Sequence, residues 1–212
     1  MKRAEQRAAT RQALATQALR LFTAQGVEAT TVEEIAAGAG VSARTFFLHF
    51  PAKAAAVFPD HDENLDRFRA ALAELPGDGD DVAQVCRLLV DSIRWQARSQ
   101  FRRGRYALVA TSEAVREMDA RTDRDYEDAL AEHLVVRWGD DPRTVLAAQA
   151  TANVVLGVAR AALLAWGRDG LDPAASASAL FKRLIGSPLT GMADDLRPGP
   201  APGPRSRMDA EG

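Results

Sequence analysis

The chain has 212 residues, 47% of them apolar and 26% charged, with a formal net charge of −2 at pH 7. Those values suit one large folded domain or two small ones, and they exclude wholesale disorder and a uniformly basic nucleic-acid binder. The single cysteine, Cys86, excludes an internal disulfide framework or thiolate zinc site; with no uncharged apolar run of about 18 residues and a polar opening, MKRAEQRAATRQALATQ, a reducing cytoplasm is the expected compartment.

Nearly every segment reads as helix, because Ala, Leu, Arg and Glu dominate and β-branched alternation is scarce. The first helix is expected over residues 3–25, with Leu14, Ala18, Leu21 and Phe22 as its apolar stripe and Gly26 as its stop. Two very short helices follow in TTVEEIAAGAGVSARTFFLHF, residues 30–50. A fourth helix starts near Pro51; Pro59 forces a kink or a restart at Asp60 and Asp62, after which Leu65, Phe68 and Leu72 carry it to about Leu75. The break at residues 76–81, PGDGDD, precedes a helix over 82–100 with Val82, Val85, Cys86, Leu89, Ile93 and Ala97 on one face. Further helices are expected over 103–118, 119–138, 143–166 and 173–184. That over 143–166 is apolar almost all round, so it is buried on more than one side. The Pro- and Gly-rich residues 187–212 lack periodicity and are expected to be disordered. No internal repeat is present. The expected organisation is an all-α chain with an N-terminal unit over 1–50, a helical body over 51–186 and a tail over 187–212.

The two short helices carry the clearest local signals. Thr31 and Glu34 fit a capping box, and Val32, Ile35, Ala36 and Ala39 share one inward face. Gly40 permits the tight turn. Ser42 is a good N-cap, Val41 and Phe46 make a hydrophobic staple, and Phe46 and Phe50 point inward one turn apart. Ala43, Arg44, Phe47 and Leu48 then face outward, with Thr45 and His49 at the border. This is the helix-turn-helix pattern, whose second helix enters a DNA major groove by its N-terminal residues. Arg44 has the fork that pairs with guanine, and Thr45, His49 and Lys53 can reach phosphates. Residues 1–53 also hold Lys2, Arg3, Arg7, Arg11, Arg20, Arg44 and Lys53 against Glu5, Glu28, Glu33 and Glu34, a modest local excess of positive charge. The pattern alone also fits an all-α interaction module that offers the second short helix to a protein.

TTVEEIAAGAGVSARTFFLHFPAKAAAVF resembles the DNA-binding segment of the TetR family of bacterial transcriptional regulators. The family pattern, T-x-x-x-I-A-x-x-A-G-V-S-x-x-T-[FY]-[FY]-x-[HY]-F-x-x-K, is met by Thr31, Ile35, Ala36, Ala39, Gly40, Val41, Ser42, Thr45, Phe46, Phe47, His49, Phe50 and Lys53. The resemblance covers about residues 10–58. It implies an all-α homodimer whose three-helix N-terminal domain reads a palindromic operator and whose larger C-terminal domain dimerises and takes a small apolar or amphipathic effector. Repression is the implied mode, activation the alternative. Thr31, Ser42, Ala43, Arg44, Thr45, Phe47, His49 and Lys53 form the implied contact set, with Ala43 and Arg44 on bases. Two departures stand out. Phe47 occupies a place where Tyr often supplies a phosphate-binding hydroxyl, and Ala54, Ala55 and Ala56 follow Lys53 where an acid and a leucine are usual.

In the body, polar or aromatic residues that interrupt apolar faces are the candidate effector contacts: Phe68, Leu72, Trp95, Gln96, Met118, Tyr126, His133 and Asn153. A lipophilic ligand fits so few polar groups, an acyl chain or acyl thioester among them. The last two helices, with Gly157, Ala161 and Ala162, are the expected dimer interface. Asp60-His61-Asp62-Glu63 reads as a helix start rather than a metal site, and no metal or other cofactor is expected. Neither G-x-S-x-G, G-x-x-x-x-G-K nor H-E-x-x-H occurs, and His49, His61 and His133 are far apart, so nothing suggests an enzyme.

Overall fold

Local capping decides where each helix begins. A computed structural model describes residues 2–185, and among these it contains nine α-helices, one 3-10 turn and no strand. The N-terminal unit is α1 (Lys2–Gln25), α2 (Val32–Gly38) and α3 (Ala43–His49). Leu14, Ala18, Phe22, Ile35, Phe46 and Phe50 meet in its centre, each at most 1% exposed. These apolar groups, withdrawn from water together, are what hold two helices too short to be stable alone.

The chain after Phe50 departs from the expected α-helix. Residues Lys53–Val57 form a 3-10 turn, and Ala54, Ala55, Ala56 and Val57 are all buried against α1 and α7. Small side chains let this turn lie close to α1, where a longer residue would hold it away. The restart at Pro59 is present: α4 spans His61–Ala73. The N-terminal core also takes in Leu108, Val109 and Val115 from the body, so one apolar cluster crosses between the two units.

The body consists of α4, α5 (Asp81–Gln96), α6 (Gln100–Thr111), α7 (Glu113–Trp138), α8 (Pro142–Asp169) and α9 (Pro173–Ile185). Two boundaries differ from the sequence expectation. A break at residues 97–99 separates α5 from α6, where Ser99 accepts from the Arg102 amide at 3.3 Å. The next lies at Ser112, not at 118–119; Ser112 ends α6 in an extended conformation and caps α7 by accepting from the Val115 amide at 3.4 Å. Asp119, expected at a helix start, therefore sits inside α7 and is 3% exposed. The tail expectation for residues 187–212 lies outside the described residues.

α8 is the central helix, packed on α5, α6, α7 and α9. It is long and apolar enough to cross a membrane by length and composition. Here Ala148, Ala152, Val155, Ala159, Ala162, Leu163 and Trp166 bury one side of it in the core. It crosses α6 closely at Gly167, where an added Cβ would lie 2.5 Å from the Tyr106 carbonyl carbon and 2.6 Å from the Ala107 nitrogen. Gly167→Ala is expected to lower stability by roughly 1–3 kcal/mol, since backbone must move to admit the methyl group. A denaturant midpoint that stays in place would contradict this close crossing.

Candidate nucleic-acid interface and body cavity

The capping box is formed. Thr31 Oγ1 accepts from the Glu34 amide at 3.2 Å, and Glu34 Oε2 accepts from the Thr31 amide at 2.8 Å. Gly40 takes φ 71° at the turn, in the region that favours glycine. Ser42 caps α3 by accepting from the Thr45 amide at 3.2 Å, and the two hydroxyls lie 3.0 Å apart. With Phe46 and Phe50 locked inward, Arg44, Phe47 and Leu48 stand out in solvent, the last two 58% and 66% exposed. Ala43, Thr45 and His49 are half-buried at the border of this face. Large apolar groups so exposed beside an arginine are unusual on a surface with no partner.

Lys53 is partly engaged within the chain: its Nζ donates to the Thr30 carbonyl at 2.8 Å and so ties the loop after α1 to the 3-10 turn. His49 Nδ1 is buried without a partner. Burial, with Arg7 and Arg11 nearby, holds the His49 pKa below the ordinary histidine value, so its imidazole is neutral at pH 7. Arg11 was not singled out from the sequence, yet it joins three parts of this unit. It donates from Nε to the Pro59 carbonyl at 2.7 Å, from Nη1 to the His49 carbonyl, and lies 4.4 Å from the centre of the Phe50 ring. It thus links α1, the end of α3 and the start of α4. In sequence it is one of many arginines on a polar helix, so no local signal marks it.

Between α4, α5, α6, α7 and α8 lies a cavity of about 390 Å³. Of the residues expected at an effector site, Phe68, Trp95, Gln96 and Tyr126 line it. Leu72, Met118, His133 and Asn153 do not, and each is corrected by its surroundings. Leu72 is 2% exposed within the body core. Met118 packs against the N-terminal core. His133 is half-buried towards Asp81 and Arg137. Asn153 is exposed, and its Oδ1 accepts from Gln149 Nε2 at 3.1 Å, so its amide is not stranded in an apolar interior.

The cavity also gathers charges the sequence pattern did not reveal. Asp119 and Asp123 on α7 meet Arg160 of α8, and Arg105 of α6 meets Asp60 at 3.6 Å. Asp60 is paired with Arg102 as well. Burial works against the Asp60 charge, but Arg105 and Arg102 hold its carboxyl below the usual carboxylate range. Of the four residues weighed for a metal, Asp60 is therefore drawn into ion pairs, and His61 Nε2 lies 2.7 Å from Asp125 Oδ2. Among the described residues no group of three His, Cys, Asp or Glu is arranged for a metal ion. Arg105 also lies over the rings of Phe58 and Tyr106, at 5.2 and 4.9 Å.

A three-helix head with an exposed second short helix, joined to a helical body with a central cavity, defines an all-α helix-turn-helix protein. The family described as bacterial regulatory proteins, tetR family, matches residues 14–57. Over 67 residues the chain is 45% identical to the HTH-type transcriptional regulator TcmR of Streptomyces glaucescens. That match covers 32% of this chain and 30% of the relative's own length. The fold is similar to native NalD of Pseudomonas aeruginosa, a secondary repressor of the MexAB-OprM multidrug efflux pump, with TM-score 0.58, 21% identity, and 83% of this chain and 95% of that one covered. It is also similar to Thermus thermophilus FadR, a repressor solved with lauroyl-CoA, with TM-score 0.54, 23% identity, and 92% and 100% covered.

Proposed function

We propose that the protein is a ligand-responsive transcriptional regulator that binds a palindromic operator as a homodimer, represses transcription there and is released by a small lipophilic effector. The observation that carries this reading is the outward face of α3, where Arg44, Phe47 and Leu48 are exposed on a helix held rigidly by Phe46 and Phe50. A two-fold dimer would set two such helices in successive major grooves. The contact set is Thr31, Ser42, Ala43, Arg44, Thr45, Phe47, His49 and Lys53, with the Thr31 and Ser42 hydroxyls committed chiefly to capping.

The dimer reading is supported by α8. Leu146 and Val154, 66% and 48% exposed, lie along one outer stripe with the small residues Ala150, Gly157 and Ala161. Leu180 of α9 is also exposed, at 40%. Close packing of two such stripes would remove this apolar surface from water.

A path for release is also supported. Arg105 borders the cavity and pairs with Asp60; the preceding residue, Pro59, accepts from Arg11; and Arg11 holds the His49 carbonyl at the end of α3. A ligand that shifts Arg105 therefore acts on the segment that orients the head.

Selection of genomic fragments by the purified full chain tests the reading. An inverted repeat should be enriched, and affinity for it should fall steeply with salt. No enrichment, together with a monomer by sedimentation at micromolar concentration, would defeat it and favour the protein-interaction alternative.

A further inference from the structure

The exposed residues of α3 are Arg44, Phe47 and Leu48. Phe47 and Leu48 follow Arg44 by three and four positions, so all three share one face of the helix. Only Arg44 among them can hydrogen-bond to a base edge. Phe47 is steadied by its own chain, its ring standing edge-on to the buried Phe46 ring with centroids 5.5 Å apart. Leu48 is 66% exposed and, among the described residues, belongs to neither apolar core. The TetR pattern leaves its position free, so the resemblance assigns Leu48 no role. Its backbone is nevertheless fixed before any partner arrives: the Phe50 amide donates to the Phe46 carbonyl at 2.9 Å, and Arg11 holds the His49 carbonyl.

The side chain of leucine neither donates nor accepts a hydrogen bond. In the major groove the edges of guanine, adenine and cytosine offer donors and acceptors, and only thymine adds an apolar group, its C5-methyl. Over another base, Leu48 would take polar edge atoms from water and return no bond. Over thymine, it would withdraw its own surface and the methyl group from water together.

We propose that Leu48 is a specificity-determining residue that reads the C5-methyl of a thymine in each operator half-site. The proposal rests on the reading of α3 as a DNA-recognition helix and adds the base chemistry of the site. Four residues of helix rise about 6 Å, and bases step about 3.4 Å along a strand, so this thymine lies within about two base pairs of the guanine read by Arg44. Each half-site thus joins a guanine held by hydrogen bonds to a thymine held by its methyl group.

The experiment removes that one methyl group from the DNA. The full chain first selects its site from random-sequence duplexes. Each thymine of the selected half-site is then replaced in turn by deoxyuridine, which keeps every hydrogen-bonding atom and lacks only the methyl. One thymine near the Arg44-dependent guanine should prove sensitive. Its replacement should weaken binding roughly fourfold in one half-site and roughly fifteenfold in both, as one methyl group is left uncovered. At the same place 5-methylcytosine should bind more tightly than cytosine. Leu48→Ala, shown folded by its melting curve, should bind the thymine and deoxyuridine sites alike and keep the guanine preference.

The modified DNA tests the unmodified protein, so the idea does not depend on the variant. A methyl effect that survives in Leu48→Ala would overturn the proposal and give the contact to Phe47. A selected inverted repeat that is indifferent to deoxyuridine at every thymine defeats this inference alone. A chain that selects no DNA sequence defeats it together with the regulator reading.

Discussion

Asp60→Ala is expected to cost about 3–5 kcal/mol of stability, because it strands two buried guanidiniums without a counter-charge. The Arg102 and Arg105 side chains are 10% and 8% exposed, and Asp60 is their shared partner. Water cannot replace it: Arg105 is enclosed by Phe58 and Tyr106, and Arg102 lies 3.9 Å from the centre of the Trp95 ring. The pH dependence follows from the lowered pKa of Asp60. A carboxyl depressed in the folded state stabilises above its unfolded value, near 4, and that contribution is lost as pH falls through the folded value. The unmodified protein should therefore lose stability on acidification more steeply than the variant. Urea unfolding at pH 7 and at pH 3.5 reads both effects, and a loss below about 1 kcal/mol at pH 7 would show that the cluster is not a buried ion-pair network. If Asp60 also links cavity to head, the milder Asp60→Asn should still bind operator but respond weakly to effector.

Arg44→Ala is expected to cost roughly 1–3 kcal/mol at one base position of each half-site, hence roughly twice that over a palindrome. The reason is geometric. Arg44 is exposed on the first turn of α3, where a recognition helix presents its side chains to base edges. Sequence preference at that position should relax along with affinity. Lys53→Ala should instead weaken binding to all sequences alike. Because Lys53 Nζ also donates to the Thr30 carbonyl, that variant should lose some stability too, so its DNA affinity must be compared at a temperature where both proteins are folded. Retention of both affinity and preference in Arg44→Ala would remove it from the base-reading role.

How much of the molecule was legible in its sequence depended on the range of the interactions. Thr31 with Glu34, Ser42 with Thr45, and Phe46 with Phe50 are contacts within one helical turn, and these were readable from spacing alone. So were the Gly40 turn and the outward face of α3, because a short helix with two locked phenylalanines has only one way to turn. The Ser112 break was missed although its serine cap is local, because no glycine or proline accompanies it and the helical pattern runs on through it.

The cavity was half legible. Phe68, Trp95, Gln96 and Tyr126 line it, but Leu72, Met118, His133 and Asn153 show that an interrupted apolar face does not reveal which neighbour it meets. Its charged wall lay beyond the sequence altogether. In a helical pattern Asp119, Asp123 and Arg160 look like solvated surface charges; only the packing of α8 on α7 brings Asp119 and Arg160, 41 apart in sequence, into contact and withdraws Asp119 from water. The same holds for Arg11 with Pro59 and Arg102 with Asp60, 48 and 42 residues apart. Caps, turns and helix faces are settled by neighbours along the chain, so the helix-turn-helix was plain in the residues themselves. Which charges are buried, and which helices they join, is settled by how whole helices dock.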